Sequence, residues 1–156
     1  MRKFTRRFII NSIENLELSK PIRYERYYIN NELRIQKKDT KYQKEKLDIY
    51  NNVIEKVEIS ENEFCELKKK SYSKIIRNSY LYLKDPRVSI KEYLDKYDGL
   101  YRVEVKFTFE NEEKEYVKEC WMGKEITYSP LAFDKDLSKL SEEEFRAELT
   151  RFKGEN

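Results

Sequence analysis

The chain is written mostly in a two-residue rhythm, the period of a strand with one face turned to a core. Residues 3–10 alternate Phe4, Arg6, Phe8 and Ile10 with Lys3, Thr5, Arg7 and Ile9. Residues 22–29 and 32–38 flank Asn30-Asn31, and residues 41–50 and 53–59 flank Asn51-Asn52. Paired asparagines tolerate the left-handed backbone that a tight hairpin needs. Residues 72–84 end at Asp85-Pro86 and residues 87–97 at Asp98-Gly99, both turn dipeptides. Residues 100–109 alternate most cleanly: Tyr101, Val103, Val105, Phe107 and Phe109 on one face, Arg102, Glu104, Lys106 and Thr108 on the other.

Helical stretches interrupt the rhythm. Ser60-Glu61-Asn62-Glu63 and Ser141-Glu142-Glu143-Glu144 are capping boxes. The first leads into Phe64 and Leu67, the second into Phe145, Leu149 and Phe152. Lys68-Lys69-Lys70 ends the first helix, where cations meet the negative pole of its dipole. A third, short helix is expected over 110–118. About eight hairpin-connected strands must cover or lose their edges, and closure into a barrel does so economically. Half the strand positions are charged, so two arrangements stay open: an apolar interior, or a polar lumen with its apolar outer face under helices.

Composition narrows the chemistry. The length, 156 residues, suits one domain spanning 1–156. The charged share of 40% exceeds the hydrophobic 38%, yet 13 Tyr and 8 Phe supply enough large side chains for a core. The tyrosines at 24, 27, 28, 80, 82, 93 and 101 suit strand packing, and Trp121 a core or rim position. The absence of histidine excludes Ser-His-Asp and Cys-His catalysis and His-ligated metals. Cys65 and Cys120 are read as buried free thiols. The net charge of +3 from 33 bases and 30 acids names no nucleic-acid partner. Arg2, Lys3, Arg6 and Arg7 alternate to opposite strand faces, which weakens a nucleic-acid patch there. No apolar run approaches the ~18 residues of a membrane span, the basic N-terminus is too short of apolar residues for a signal peptide, and the expected location is cytoplasmic.

Several strings, in order along nearly the whole chain, resemble the CYTH or triphosphate tunnel family. Trp121-Met122-Gly123-Lys124-Glu125-Ile126-Thr127 is similar to that family's Trp-x-Gly-x-Glu-Val-Thr, with Leu137 at its later leucine. Gly99-Leu100 followed by Val103-Glu104-Val105-Lys106-Phe107 resembles Gly-Leu and Ala-Glu-Val-Glu-Phe. Arg34 falls in an Arg-x-Arg strand, Lys46 at the end of Leu-Thr-Ile-Lys, Glu58-Ile59 at a Glu-Ile step, and Arg77 at the arginine after the first helix. The resemblance implies a mainly β (α+β) fold, an eight-stranded antiparallel closed barrel or tunnel with a few flanking helices. It also implies triphosphate chemistry, with Mg or Mn held by tunnel glutamates and phosphates held by bases.

The departures share one sign. Where the family opens with Glu-x-Glu-x-Lys, this chain reads Lys3-Phe4-Thr5-Arg6-Arg7. Lys91 stands for an inward Asp, Lys106 for the second Glu of the Glu-x-Glu step, Ser129 for an Asp, Lys44 for a Thr and Gln36 for the second Arg. Glu58 and Glu104 remain as tunnel acids. The implied reading is a degenerate tunnel that binds a phosphate-rich small molecule (a nucleotide, cyclic nucleotide or polyphosphate) without metal-dependent turnover or any cofactor. Its expected contacts are Lys3, Arg7, Arg34, Lys44, Lys46, Arg77 and Lys106, with Lys46, Arg77 and Glu104 pointing inward and Val103, Val105 and Phe107 outward. One alternative is a divergent triphosphatase holding Mg or Mn on Glu58 and Glu104. Another is a scaffold that keeps only the fold, its bases paired with Glu58, Glu104 and other acids, for a protein partner the sequence does not name.

Overall fold

The computed structural model describes residues 4–153. Eight strands run β1 Thr5–Ile10, β2 Ile22–Tyr28, β3 Leu33–Lys38, β4 Lys41–Leu47, β5 Val53–Glu58, β6 Ser73–Leu81, β7 Val88–Tyr93 and β8 Tyr101–Lys106. Helix α1, Glu61–Lys68, follows β5; α2, Glu110–Glu115, α3, Asp134–Leu137, and α4, Glu142–Lys153, follow β8. All strands join one antiparallel sheet in the order β1-β8-β7-β6-β2-β3-β4-β5. Three hairpins need left-handed or tightly bonded backbone. Asp39 (φ 52°) turns β3 into β4, a turn the sequence did not mark. Between β4 and β5, Asn51 (φ 64°) turns while the Asp48 carboxylate accepts from the Tyr50 and Asn52 backbone N–H groups. The Asn30 side chain accepts from the Glu32 and Leu33 N–H groups between β2 and β3.

The sheet curls until every strand contributes a side chain to one cavity. Its hydrogen-bonded ring nevertheless stops between β1 and β5 among the described residues. The reason lies at β1, whose outer edge is already taken. The segment 123–126 runs along it, with Gly123 N–H donating to Ile9 C=O (2.8 Å), Ile9 N–H to Lys124 C=O (2.9 Å) and Ile126 N–H to Arg7 C=O (2.8 Å). This approach requires glycine, because a Cβ at position 123 would lie 2.4 Å from the Ile9 carbonyl oxygen.

Alternation sorts the side chains as the polar-lumen arrangement requires. On the outer face, Phe8, Ile10, Val88, Ile90, Val103, Val105 and Phe107 pack with Met122, Tyr116 and Trp121. The rings of Tyr82 and Trp121 lie 5.0 Å apart, so Trp121 is a rim aromatic of this cluster. Farther round, Tyr27 and Ile35 meet Phe64 of α1, whose Ser60 cap accepts from Glu63 N–H. On the inner face, apolar residues occupy one end only: Ile9, Tyr28, Leu47, Ile75 and Tyr93 pack against Leu131, Leu137, Phe145 and Leu149. The α3–α4 region thus forms an apolar floor to the lumen. Both cysteines are exposed, contrary to the expectation of buried thiols: Phe64, not its neighbour Cys65, is the buried residue of α1. No helix among the described residues is long and apolar enough to cross a membrane.

Because Gly123 lets the chain lie against β1, Gly123→Ala should destabilise the fold by about 1–3 kcal/mol through overpacking against backbone. Urea unfolding monitored by Trp121 fluorescence measures this; an unchanged midpoint would show that the segment shifts freely.

Candidate anion-binding cavity

The polar half of the inner face encloses a cavity of about 550 Å³. Its described lining carries nine cationic side chains against three carboxylates. The cations come from Arg7 on β1, Arg26 on β2, Arg34 on β3, Lys56 on β5, Arg77 on β6 and Lys91 on β7, then Arg102 and Lys106 on β8 and Lys135 on α3. The acids are Glu45 on β4, Glu104 on β8 and Asp134 at the start of α3.

Asp134 is 5% exposed and gathers most of the deep charge. Its Oδ2 accepts from Arg26 Nη1 (2.8 Å) and Arg77 Nε (2.9 Å). Its Oδ1 accepts from Arg102 Nη2 (3.2 Å) and from the Tyr93 hydroxyl. Burial alone would push this carboxyl up; the guanidiniums of Arg77, Arg102 and Arg26, with Tyr93, outweigh it and hold it well below the usual carboxylate range. The other acids are similarly engaged. Glu45 accepts from Arg34 Nε (2.8 Å) and lies 3.2 Å from Lys56 Nζ. Glu104 sits 3.5 Å from Arg7 Nε and 4.0 Å from Arg102 Nη2. Against the opposing effect of burial, Arg7, Lys91, Arg102 and Lys106 bring its carboxyl down to about 2.

Cationic capacity is left over. The Nε–H groups of Arg7 and Arg102 are buried without a hydrogen-bond partner. Arg7 otherwise donates to Thr5 Oγ1 (2.7 Å) and stacks over Phe133, 4.3 Å from the ring centre. Among the described residues Lys91 donates to Ser89 Oγ (3.2 Å); burial first, then Arg77 and Arg102, lowers its amine to about 7. Tyr24 supports one wall, with the Arg77 guanidinium 4.5 Å and that of Arg26 5.2 Å from its ring centre.

Of the residues singled out in the sequence, Arg7, Arg34, Arg77, Lys106 and Glu104 meet in this cavity. Lys3 lies outside the described residues. Lys44 and Lys46 do not reach the cavity, which corrects the expectation for both. On β4 the inward face is carried by Gln43, Glu45 and Leu47, so a one-residue offset sends the two lysines out. Lys44 instead pairs with Glu63 of α1 at 3.4 Å, and exposed Lys46 stands opposite Glu55. Glu58 is exposed on β5, opposite Gln43, and does not line the cavity. The sequence reading missed Asp134, Arg26, Lys56 and Glu45 as site residues. The alternation of Tyr24, Arg26 and Tyr28 carried a signal for Arg26; Asp134 lies in a stretch without period and carried none.

The resemblance implies a divalent metal, and the donor set does not fit one. Each carboxylate of the cavity is already held by cations, and no group of three or more Asp, Glu, Cys or His among the described residues is disposed to bind a metal.

Two predictions follow from this charge arrangement. Asp134→Ala should lower stability by about 3–5 kcal/mol, because it leaves three buried guanidiniums uncompensated; denaturant unfolding measures the loss. The Lys91 amine is depressed in the folded state to about 7, whereas the unfolded chain keeps its proton up to about pH 10.4. The unfolded state therefore binds the extra proton across that window, and stability should rise with pH through it. Lys91→Met should flatten the rise; a wild-type melting temperature that falls from pH 7 to 9 with the same slope as the variant would contradict it.

Comparison with known proteins places the architecture. No family model and no curated protein matches the sequence. A crystal structure of the inorganic triphosphatase NE1496 superposes with a TM-score of 0.73 at 19% identity, covering 90% of this chain and 97% of that one. A second structure, described as the hypothetical protein NE1496, gives 0.71 at 19% identity, covering 87% and 97%. Identity this low speaks to fold alone. With its eight-stranded antiparallel sheet curled about a charged lumen, the chain has the CYTH-like, triphosphate-tunnel fold.

Proposed function

We propose that the protein binds a phosphate-rich small anion, a nucleotide, cyclic nucleotide or polyphosphate, in this cavity without metal-dependent turnover. The observation that carries the reading is that nine basic side chains and only three acids line one cavity, Lys56 and Lys106 among them on its solvent-exposed side. The buried part of this surplus, Arg7, Arg34, Arg77 and Arg102, is unfavourable in a low-dielectric interior where water, an acid or an anion does not compensate it. Asp134 fixes Arg26, Arg77 and Arg102 as a preformed wall. Arg7, Lys91 and Lys106 then present the less committed donors to a ligand, and guanidinium forks suit phosphate oxygens. Exposed free thiols at Cys65 and Cys120 fit a reducing compartment and support a cytoplasmic location.

Calorimetry with tripolyphosphate and with ATP, in EDTA at two salt concentrations, tests the proposal. Binding should occur without metal and weaken with salt. Arg7→Ala and Lys106→Ala should each weaken it by about one to two orders of magnitude, as expected for loss of one charge-assisted hydrogen bond. Metal-dependent phosphate release that Glu104→Gln abolishes would replace this reading with a divergent triphosphatase. No binding to either anion would leave a scaffold.

A further inference from the structure

The two ends of the sheet are unequal. The outer edge of β1 is hydrogen-bonded to the 123–126 segment. On the far side of β5 no strand pairs among the described residues. The hydrogen-bond phase of β5 can be read from its neighbours. Ile59 N–H donates to Tyr42 C=O at 3.0 Å, in the same register as Lys44↔Val57 and Lys46↔Glu55. Antiparallel ladders alternate, so Glu55, Val57 and Ile59 turn their backbone groups toward β4. Lys56 and Glu58 turn theirs to the open side. The five residues Ile54–Glu58 are all exposed, Ile54 at 58% and Val57 at 43%.

An open edge is a template for another strand, and charges along it restrict which strand fits. A two-fold antiparallel pairing of β5 with a second β5 must place one residue on the axis. With Lys56 on the axis, lysine faces lysine; with Glu55 or Glu58 there, glutamate faces glutamate. With Val57 on the axis, Val57 meets Val57, and each Lys56 stands opposite the other copy's Glu58. In that register Lys56 and Glu58, the two residues whose N–H and C=O groups face outward, form the hydrogen-bonded pairs. Among the registers centred on Glu55, Lys56, Val57 or Glu58, charge and backbone phase therefore select the same arrangement.

We propose that β5 is a self-association edge through which two copies of this chain form a two-fold dimer, centred on Val57 and matched by two Lys56–Glu58 pairs. The paired segment is short, so the dimer is weak and concentration-dependent. The pairing gives Glu58 a role outside the cavity. It also sets Glu58 of the second copy beside Lys56, which lines the cavity.

Sedimentation equilibrium at low salt, over a concentration series reaching about 1 mM, tests the proposal. The wild type should move from 19.2 kDa toward twice that mass. Glu58→Lys, which sets lysines against Lys56 at both contacts, should lower the association constant roughly tenfold or more. The double variant Lys56→Glu/Glu58→Lys restores opposite charges and should regain it. Should the double variant fail to fold, Val57→Glu decides, since it sets two carboxylates on the axis and should leave a monomer. A wild type that stays at 19.2 kDa throughout, or a Glu58→Lys or Val57→Glu variant that associates as strongly as the wild type, would overturn the proposal.

Discussion

One buried carboxylate organises this molecule. Asp134 takes hydrogen bonds from Arg26, Arg77, Arg102 and Tyr93, which stand on four different strands. Without it, three guanidiniums on β2, β6 and β8 would crowd one low-dielectric space, and mutual repulsion would press the curled sheet open. With it, those groups become a fixed wall, and Arg77 and Arg26 rest on Tyr24 behind. A buried pair of this kind adds little net stability over an apolar replacement. Its consequence is geometric: the arginines hold their positions before any ligand arrives, so a ligand need not order them.

The position of Asp134 also ties the floor to the wall. The residue opens α3, whose Leu137 joins Leu131, Phe145 and Leu149 in the apolar cluster that fills one end of the lumen. Apolar burial holds the α3–α4 region against the barrel, and that docking delivers the carboxylate. Hydrophobic packing thereby fixes an electrostatic site.

How much of this could be read from the chain depended on whether one strand face was apolar. In β8 the apolar Val103 and Val105 separate cleanly from Arg102, Glu104 and Lys106, so the pattern fixed which residues share a face; that the charged face points inward came from the resemblance, and it does. In β4 the alternatives were Tyr42, Lys44 and Lys46 against Gln43, Glu45 and Leu47. Both faces are polar enough to belong inside, so alternation gave no check on the resemblance, which pointed to Lys44 and Lys46. Leu47, buried in the floor cluster, was the local clue. Asp134 was illegible for a different reason. Its partners lie 32 to 108 residues away in sequence, and no local pattern announces a contact that only the completed fold creates. The β5 edge, unpaired among the described residues, belongs to the same class, since only the completed sheet shows which strands end it.

The apolar floor makes the lumen a cup and not a pipe. A bound molecule cannot pass out through the end that this cluster fills. Depth, set by where Tyr28, Leu47 and Tyr93 close the inner face, limits how far into the sheet any occupant can reach.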